Sequence, residues 1–366
     1  MARVVYLHVG APKTGTTYLQ DRLALNRASL ARHGVQYPLG LNASHFRPAL
    51  DLLQMPWGGL QEDVDGEWDA LIGRVRRSSG KVLVSHEILA AAKPSQVKQA
   101  MAGLEDSEVH LVYSARDLAR QIPAEWQEGV KHQRKIGFGG FLKQVQTAKR
   151  TKATLWFWRV QGLPDVLTRW SRGLPPERVH LVTVPPPGAP RDLLWQRYCR
   201  AFGLDPAWAP EGSERENVSI GAAETLLIRR LNRRLRRAGF PSSEYRRLIR
   251  EVVVHQTLAQ RPDMTKVTLP PRAYPWAAEV AEEWIEWVEG SGIDVVGDVA
   301  DLRPVPPPED QRWSDPDRPR RPEMIDAAMD ALVALAMEAA ERPDPDQQLG
   351  AKVARAARRL LPGEGR

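Results

Sequence analysis

The segment that most constrains this chain lies at its start, "RVVYLHVGAPKTGTTYLQDRLALN" (Arg3–Asn26). A β-branched apolar run over 3–9 ends at Gly10, and a helical pattern over 16–33 opens after Gly15. A strand that passes through a glycine turn straight into a helix is the opening of a parallel crossover unit. The pattern repeats. Strand candidates at 81–85, 108–113 and 178–184 alternate with helix candidates at 94–104, 117–132, 141–149 and 190–202. The strands are nearly continuous apolar runs, so both of their faces are expected to be buried. The expected fold class is therefore α/β, a central parallel sheet flanked by helices, with further helices added toward the C-terminus.

In such sheets ligands bind beyond the carboxyl ends of the strands. That directs attention to 11–17, His86 and Glu87, and 114–116. The first of these loops has the Gly10–Gly15 spacing of a Walker phosphate loop, but Thr16 follows Gly15 where that motif needs lysine. The lysine stands inside the loop instead, as Lys13. A glycine-rich loop before a helix offers backbone N–H groups and the positive helix end to an anion. The overall charge of +7 also suits an anionic ligand, a nucleic acid or a membrane surface.

The string Pro12-Lys13-Thr14-Gly15-Thr16-Thr17-Tyr18 resembles the 5′-phosphosulfate loop of the sulfotransferases that use 3′-phosphoadenosine-5′-phosphosulfate (PAPS). The resemblance implies that Lys13 is catalytic and stabilises charge on the departing 3′,5′-ADP. It also implies that Lys13, Thr14, Gly15, Thr16 and Thr17 bind the donor. The family's second element, an arginine at a strand end that binds the 3′-phosphate, is matched by Arg116 in "YSARDLARQIPAEWQ". The family's serine eight residues on is replaced by Ala124, which leaves Ser114, Arg120 or Gln127 to compensate. "FGL" (Phe202–Leu204) matches a family helix ending, whereas Val184-Pro185 stands where Tyr-Glu is common. "ERENVSIG" resembles a stretch of many bacterial members, in which Arg215, Asn217 and Ser219 would close over the nucleotide; Ser219 reads equally as a helix N-cap. The resemblance covers roughly 3–240 and implies no metal requirement.

Transfer to a hydroxyl or amine needs a group to take its proton. "KVLVSHEILAAA" ends a strand in His86 and Glu87. Strand alternation would let only one of them face the site, and Glu87 is favoured over His86. His45, in "LNASHFRPAL", is a further option. The expected function is thus sulfuryl transfer from PAPS to a small-molecule, carbohydrate or lipid acceptor. Alternatives are a catalytically impaired nucleotide binder, kept open by Ala124, and a P-loop kinase, disfavoured by the missing lysine after Gly15. A nucleic-acid binder built on "LLIRRLNRRLRRAGF" is a third reading. Arg229, Arg230, Arg233, Arg234, Arg236 and Arg237 are spread around that helix, with no accompanying recognition module. A solvated face that partly touches the donor phosphates accounts for them better.

The α/β domain is expected over 1–300, with acceptor-side helices at about 205–290. A Pro- and charge-rich linker would follow at 301–323, and a helical extension able to mediate a homodimer at 324–366. The single cysteine, Cys199, excludes an internal disulfide and reads as a core thiol. No apolar run is long enough to span a bilayer, and the first strand starts where a signal peptide would lie. A cytoplasmic protein without an integral membrane segment is the expectation. Trp57, Trp68, Trp156, Trp158 and Trp276 are candidate acceptor contacts, while Trp284 and Trp287 have the spacing of core residues.

Overall fold

Among the described residues, six parallel strands form one sheet, in the order β2-β3-β1-β4-β5-β6. The strands are β1 (Val4–His8), β2 (Val35–Gln36), β3 (Lys81–Ser85), β4 (Glu108–Ala115), β5 (Val179–Thr183) and β6 (Asp294–Val296). The computed structural model describes residues 3–39, 44–57, 63–213, 219–308 and 310–341. Central strand β1 pairs with β3 on one side and β4 on the other, so its glycine loop emerges between two neighbouring strand ends.

The apolar runs are continuous because alternate residues serve two separate cores. Val5, Leu7 and Val9 face one layer with Val82, Val84, Leu111 and Tyr113. Tyr6, Leu83, Val112 and Val182 face the other, against Leu19, Leu23, Trp195 and Phe202. Each fully buried side chain of this size stabilises the fold by roughly 1.5–3 kcal/mol. Both layers of helices are thus required by the strand sequences themselves.

The expected helix over 16–33 is two helices, α1 (Thr16–Leu25) and α2 (Arg27–Arg32), which meet at Asn26. The Asn26 side-chain amide donates to the Arg22 and Glu211 carbonyls, which fixes the bend. Helices α3 (Phe46–Leu53), α4 (Glu67–Arg77) and α5 (Pro94–Ala102) cover the β3 side. After β4 come α6 (Leu118–Lys131), α7 (Phe138–Thr147), α8 (Trp156–Gln161) and α9 (Leu163–Trp170). Helix α10 (Leu193–Phe202) follows β5, with Cys199 buried. The added helices are α11 (Ala222–Arg237), α12 (Ser242–Glu244) running on into a π-helix at Tyr245–Thr257, α13 (Tyr274–Ser291) and α14 (Arg321–Ala340).

Strand β6 and the short edge strand β2 carry too little periodicity to stand out in the sequence. Between α13 and α14 the irregular segment is tied to the body of the protein. Asp317 accepts hydrogen bonds from the Phe138 and Gly139 N–H groups at the start of α7 and pairs with Arg229 of α11 at 2.9 Å. The indole of Trp313 donates to the Thr268 carbonyl. Helix α14 buries Ala327 and Ala331 and exposes Ile325, Met329, Leu332, Val333 and Met337.

Candidate functional site

A cleft of about 1190 Å³ opens over the carboxyl ends of β1, β3 and β4, and its floor is the loop from Pro12 to Thr17. Gly10 (φ +125°) and Gly15 (φ +87°) adopt positive φ, which costs little only for glycine. A Cβ on Gly10 would also stand 2.9 Å from the Glu87 carbonyl oxygen. Lys13 is itself left-handed, at φ +65°, and this conformation sets it at the loop tip. Gly15 is the N-cap of α1, and no side chain caps that helix. Among the described residues, the N–H groups of Lys13, Gly15, Thr16 and Thr17 have no hydrogen-bond acceptor. The cleft floor is therefore a set of free backbone donors at a positive helix end.

The loop is held from beneath. Gln121 of α6 and Gln161 of α8 both donate to the Pro12 carbonyl. Thr14 is fully buried, and its hydroxyl lies 2.6 Å from the Ala11 carbonyl and 2.6 Å from the Ser114 hydroxyl. Thr14 therefore leaves only its main chain to a ligand. Ser114 in turn meets His8 Nε2 at 3.2 Å, and His8 Nδ1 meets Ser85 Oγ at 2.8 Å. This buried chain joins the ends of β1, β3 and β4 under the loop. Burial pushes the His8 imidazole down to about 4, so it stays neutral at physiological pH.

Lys13 Nζ makes an ion pair of 2.6 Å with Glu128 of α6, a residue that sequence reasoning missed. Glu128 also contacts His132 (3.1 Å), Arg250 (3.8 Å) and Lys131 (3.9 Å). Burial alone would raise the Glu128 carboxyl. The His132 hydrogen bond and the Lys13 and Lys131 charges outweigh it and hold the group well below the usual carboxylate range. The contacts continue around the cleft. The His132 ring meets Trp57 at 5.0 Å, Trp57 meets Phe46 at 5.5 Å, and Phe46 meets His86 at 5.4 Å. His86 Nδ1 lies 3.8 Å from Glu87 Oε2. Cation, carboxylate, aromatic wall and second carboxylate thus form one rim.

His86 and Glu87 both line the cleft, contrary to the expectation from strand alternation. The reason is local: β3 stops at Ser85, His86 is extended, and Glu87 begins a 3₁₀ turn, Glu87–Ala91. Glu87 accepts a 2.9 Å hydrogen bond from Gln20 of α1. Burial pushes the Glu87 carboxyl up, but His86, its own backbone N–H, Gln20 and Lys13 together hold it below its ordinary value. His86 is pushed down by burial, with Glu87 acting against that, and its Nδ1 accepts the Ile88 N–H. A second missed carboxyl, Glu125, also lines the cleft; it is pushed up by burial and by Glu128. His45 does not line the cleft. Its Nε2 faces the Pro38 carbonyl at 2.9 Å and its Nδ1 accepts the Ser85 N–H, so both ring nitrogens are occupied.

Arg116 follows β4 directly and lines the same cleft, as does Ala124. Its guanidinium donates to Gln121 Oε1 (2.8 Å) and the Arg120 carbonyl (3.0 Å), which leaves three of its five N–H groups. Burial and Arg120 push it down to about 10, so it stays charged. None of the proposed substitutes for the missing serine is free. Ser114 is locked in the buried chain, Arg120 pairs with Asp117 and the Pro185 carbonyl, and Gln127 donates to Ile220 and Thr225. Ser219 lines the cleft and is not an N-cap, because Gly221 starts α11. Arg215 and Asn217 lie outside the described residues.

None of the six α11 arginines lines the cleft, which corrects the expectation that they touch donor phosphates. The π-helix supplies Tyr245, Arg246, Arg250 and His255 to the cleft instead. Of the candidate acceptor tryptophans, Trp57 and Trp156 line the cleft and Trp68 and Trp158 are buried in the core, where Trp284 lies as its spacing implied.

No protein-family model matches the sequence, and no curated protein matches it. Among solved structures the chain is similar to a sulfotransferase from Alicyclobacillus acidocaldarius. The TM-score is 0.37 at 17% identity, over 70% of this chain and 97% of that one. Among the described residues, no helix is long and apolar enough to cross a membrane. No cluster of three or more His, Cys, Asp or Glu suited to a metal ion occurs among them either.

Proposed function

We propose that the chain transfers a sulfuryl group from PAPS to a hydroxyl or amine of a small-molecule, carbohydrate or lipid acceptor. The observation that carries this reading is the floor of free N–H donors at Lys13, Gly15, Thr16 and Thr17, with Arg116 at the neighbouring strand end. Together they suit a ligand with one phosphate at the loop and a second at Arg116. When bound, PAPS supplies an activated sulfuryl group on a stable leaving phosphate. The loop N–H groups and the Thr16 and Thr17 hydroxyls would hold the 5′-phosphate, and the three remaining Arg116 N–H groups the 3′-phosphate. Lys13 would stabilise the charge that develops on the leaving oxygen. Glu87 is ionised at neutral pH and steadied by Gln20, so it can take the proton of the acceptor. His86 also lines the cleft and is the second candidate base.

A nucleotide binder without transfer activity is the second reading, and Ala124 together with the Lys13–Glu128 ion pair favours it. The cytoplasm is the proposed place of action. A homodimer through the exposed α14 stripe belongs to the same reading and can be checked by light scattering. Calorimetric titration with 3′,5′-ADP and with ATP·Mg tests the donor class. Micromolar 3′,5′-ADP binding with weak ATP binding is expected, and the reverse order would sink the proposal. Measurable sulfate transfer from labelled PAPS to any acceptor would separate the first reading from the second.

A further inference from the structure

Beside the main cleft lies a second hollow that the transfer chemistry does not use. It is lined by Lys135, in the loop between α6 and α7, and by Arg233, Arg236 and Arg237 on the last turns of α11. Four cations converge there, and among the described residues none has a carboxylate within ion-pair distance. The one hydrogen bond among them runs from Arg233 to the Lys135 carbonyl and neutralises nothing. Desolvation and the three arginines push the Lys135 ammonium below its ordinary value. Like charges gathered in this way repel each other, and an anion would relieve that repulsion.

The position of the hollow matters. Lys135 is the immediate chain neighbour of Arg134, which lines the main cleft, so the loop after α6 contributes a residue to each site. Arg246 and Arg250 continue the positive charge on the cleft side. The hollow is lined by no aromatic residue on which a base could stack and no apolar residue that could enter a lipid layer. The cleft itself holds Trp57 and Trp156, flat apolar surfaces suited to a sugar ring.

We propose that the acceptor is an acidic glycan. One hydroxyl would lie at Glu87 and His86, and the chain would run out past Arg134 so that its carboxylate or sulfate groups rest in the Lys135–Arg233–Arg236–Arg237 hollow. This rests on the transfer reading for the cleft, but the binding surface is testable apart from it. The probe is a polyuronate oligosaccharide, with neutral dextran as control, titrated against the full chain at about 50 and about 300 mM salt. Binding of polyuronate but not dextran is expected, weakening as salt rises.

The double variant R236E/R237E changes two exposed residues and should keep its circular dichroism and its 3′,5′-ADP affinity. Its polyuronate affinity should fall about ten-fold or more, the effect of reversing two surface charges. Unchanged polyuronate binding in the variant overturns the proposal. So does tighter binding of duplex DNA or phosphatidylserine vesicles than of polyuronate, which would assign the hollow to a nucleic acid or a membrane. If 3′,5′-ADP fails to bind while the glycan still binds through Arg236 and Arg237, the transfer reading falls and the glycan surface stands.

Discussion

Glu128→Gln is the substitution that most directly tests how the cleft works. Lys13 is held at 2.6 Å by Glu128, so an incoming phosphate must displace a carboxylate before it can use that lysine. The variant keeps the shape and one acceptor oxygen but removes the charge. Two unit charges at that separation attract by about 1.6 kcal/mol in bulk water and about 6 kcal/mol at an effective dielectric near 20. The Lys13 side chain is 33% exposed and that of Glu128 24%, so solvent screens much of this. A net release of about 1–2 kcal/mol is the reasonable expectation. That corresponds to 3′,5′-ADP binding about 5–30-fold tighter, read by calorimetry at fixed salt.

The control is the double-mutant cycle with Lys13→Ala. In the Lys13→Ala background, Glu128→Gln should bring much less gain, since the pair is already broken. Removing Glu128 also leaves Lys131, Arg250 and His132 without their shared anion, and that contribution persists when Lys13 is absent. Unchanged or weaker 3′,5′-ADP binding in E128Q would show that Glu128 does not compete with the ligand for Lys13, and the reasoning would fail.

Separate Glu87→Gln and His86→Asn variants should identify the base, with kcat falling about 10²–10⁴-fold in one of them and 3′,5′-ADP affinity kept; full activity in both would remove the pair from the mechanism. Gly10→Ala must accommodate φ +125° and a Cβ 2.9 Å from the Glu87 carbonyl oxygen, so urea unfolding should report a loss of about 1–3 kcal/mol. An unchanged midpoint would refute the close packing of loop and base. His8 and His45 are both pushed down to about 4 by burial, so folding excludes a proton that the unfolded chain takes up near 6.5. Stability is then full above that pH and is lost as pH falls toward 4, by up to about 3 kcal/mol for each histidine. Flat stability between about pH 7 and about pH 4.5 in urea titrations would contradict it.

Much of the fold is legible because its determinants are local. Strands β1, β3, β4 and β5 are short β-branched runs, and the helices after β4 and β5 have caps and periodicity close to those expected. Asp117 caps α6 through the Arg120 N–H, and Gly203 ends α10 in the left-handed conformation. The loop is largely legible, since Gly10 and Gly15 mark two of the three places where its backbone takes positive φ, the third being Lys13. The partners of the loop are not. Glu128 is 115 positions away from Lys13 and looks like any helix-surface glutamate until α6 packs across the β4 end. Thr14 belongs to a motif of donors, yet only packing reveals that its hydroxyl is spent on Ala11 and Ser114. The same holds for Arg120 and Gln127, which are polar, nearby in sequence and already engaged.

Residue type and short-range spacing are enough to specify a parallel sheet, a glycine-rich loop after its first strand, and His86, Glu87 and Arg116 just after later strands. Tertiary contacts do not alter these features. What surrounds the loop depends on long-range packing, and the basic wall is the clearest case. Arg246, Arg250 and His255 are spaced by four and then five residues. With the 3.6 residues per turn of an α-helix, His255 would point away from Arg246. Wound as a π-helix, with roughly four and a half residues per turn, all three come to one face and line the cleft. The winding is not encoded in any residue's own preference, so the positive wall opposite the loop exists only in the folded chain.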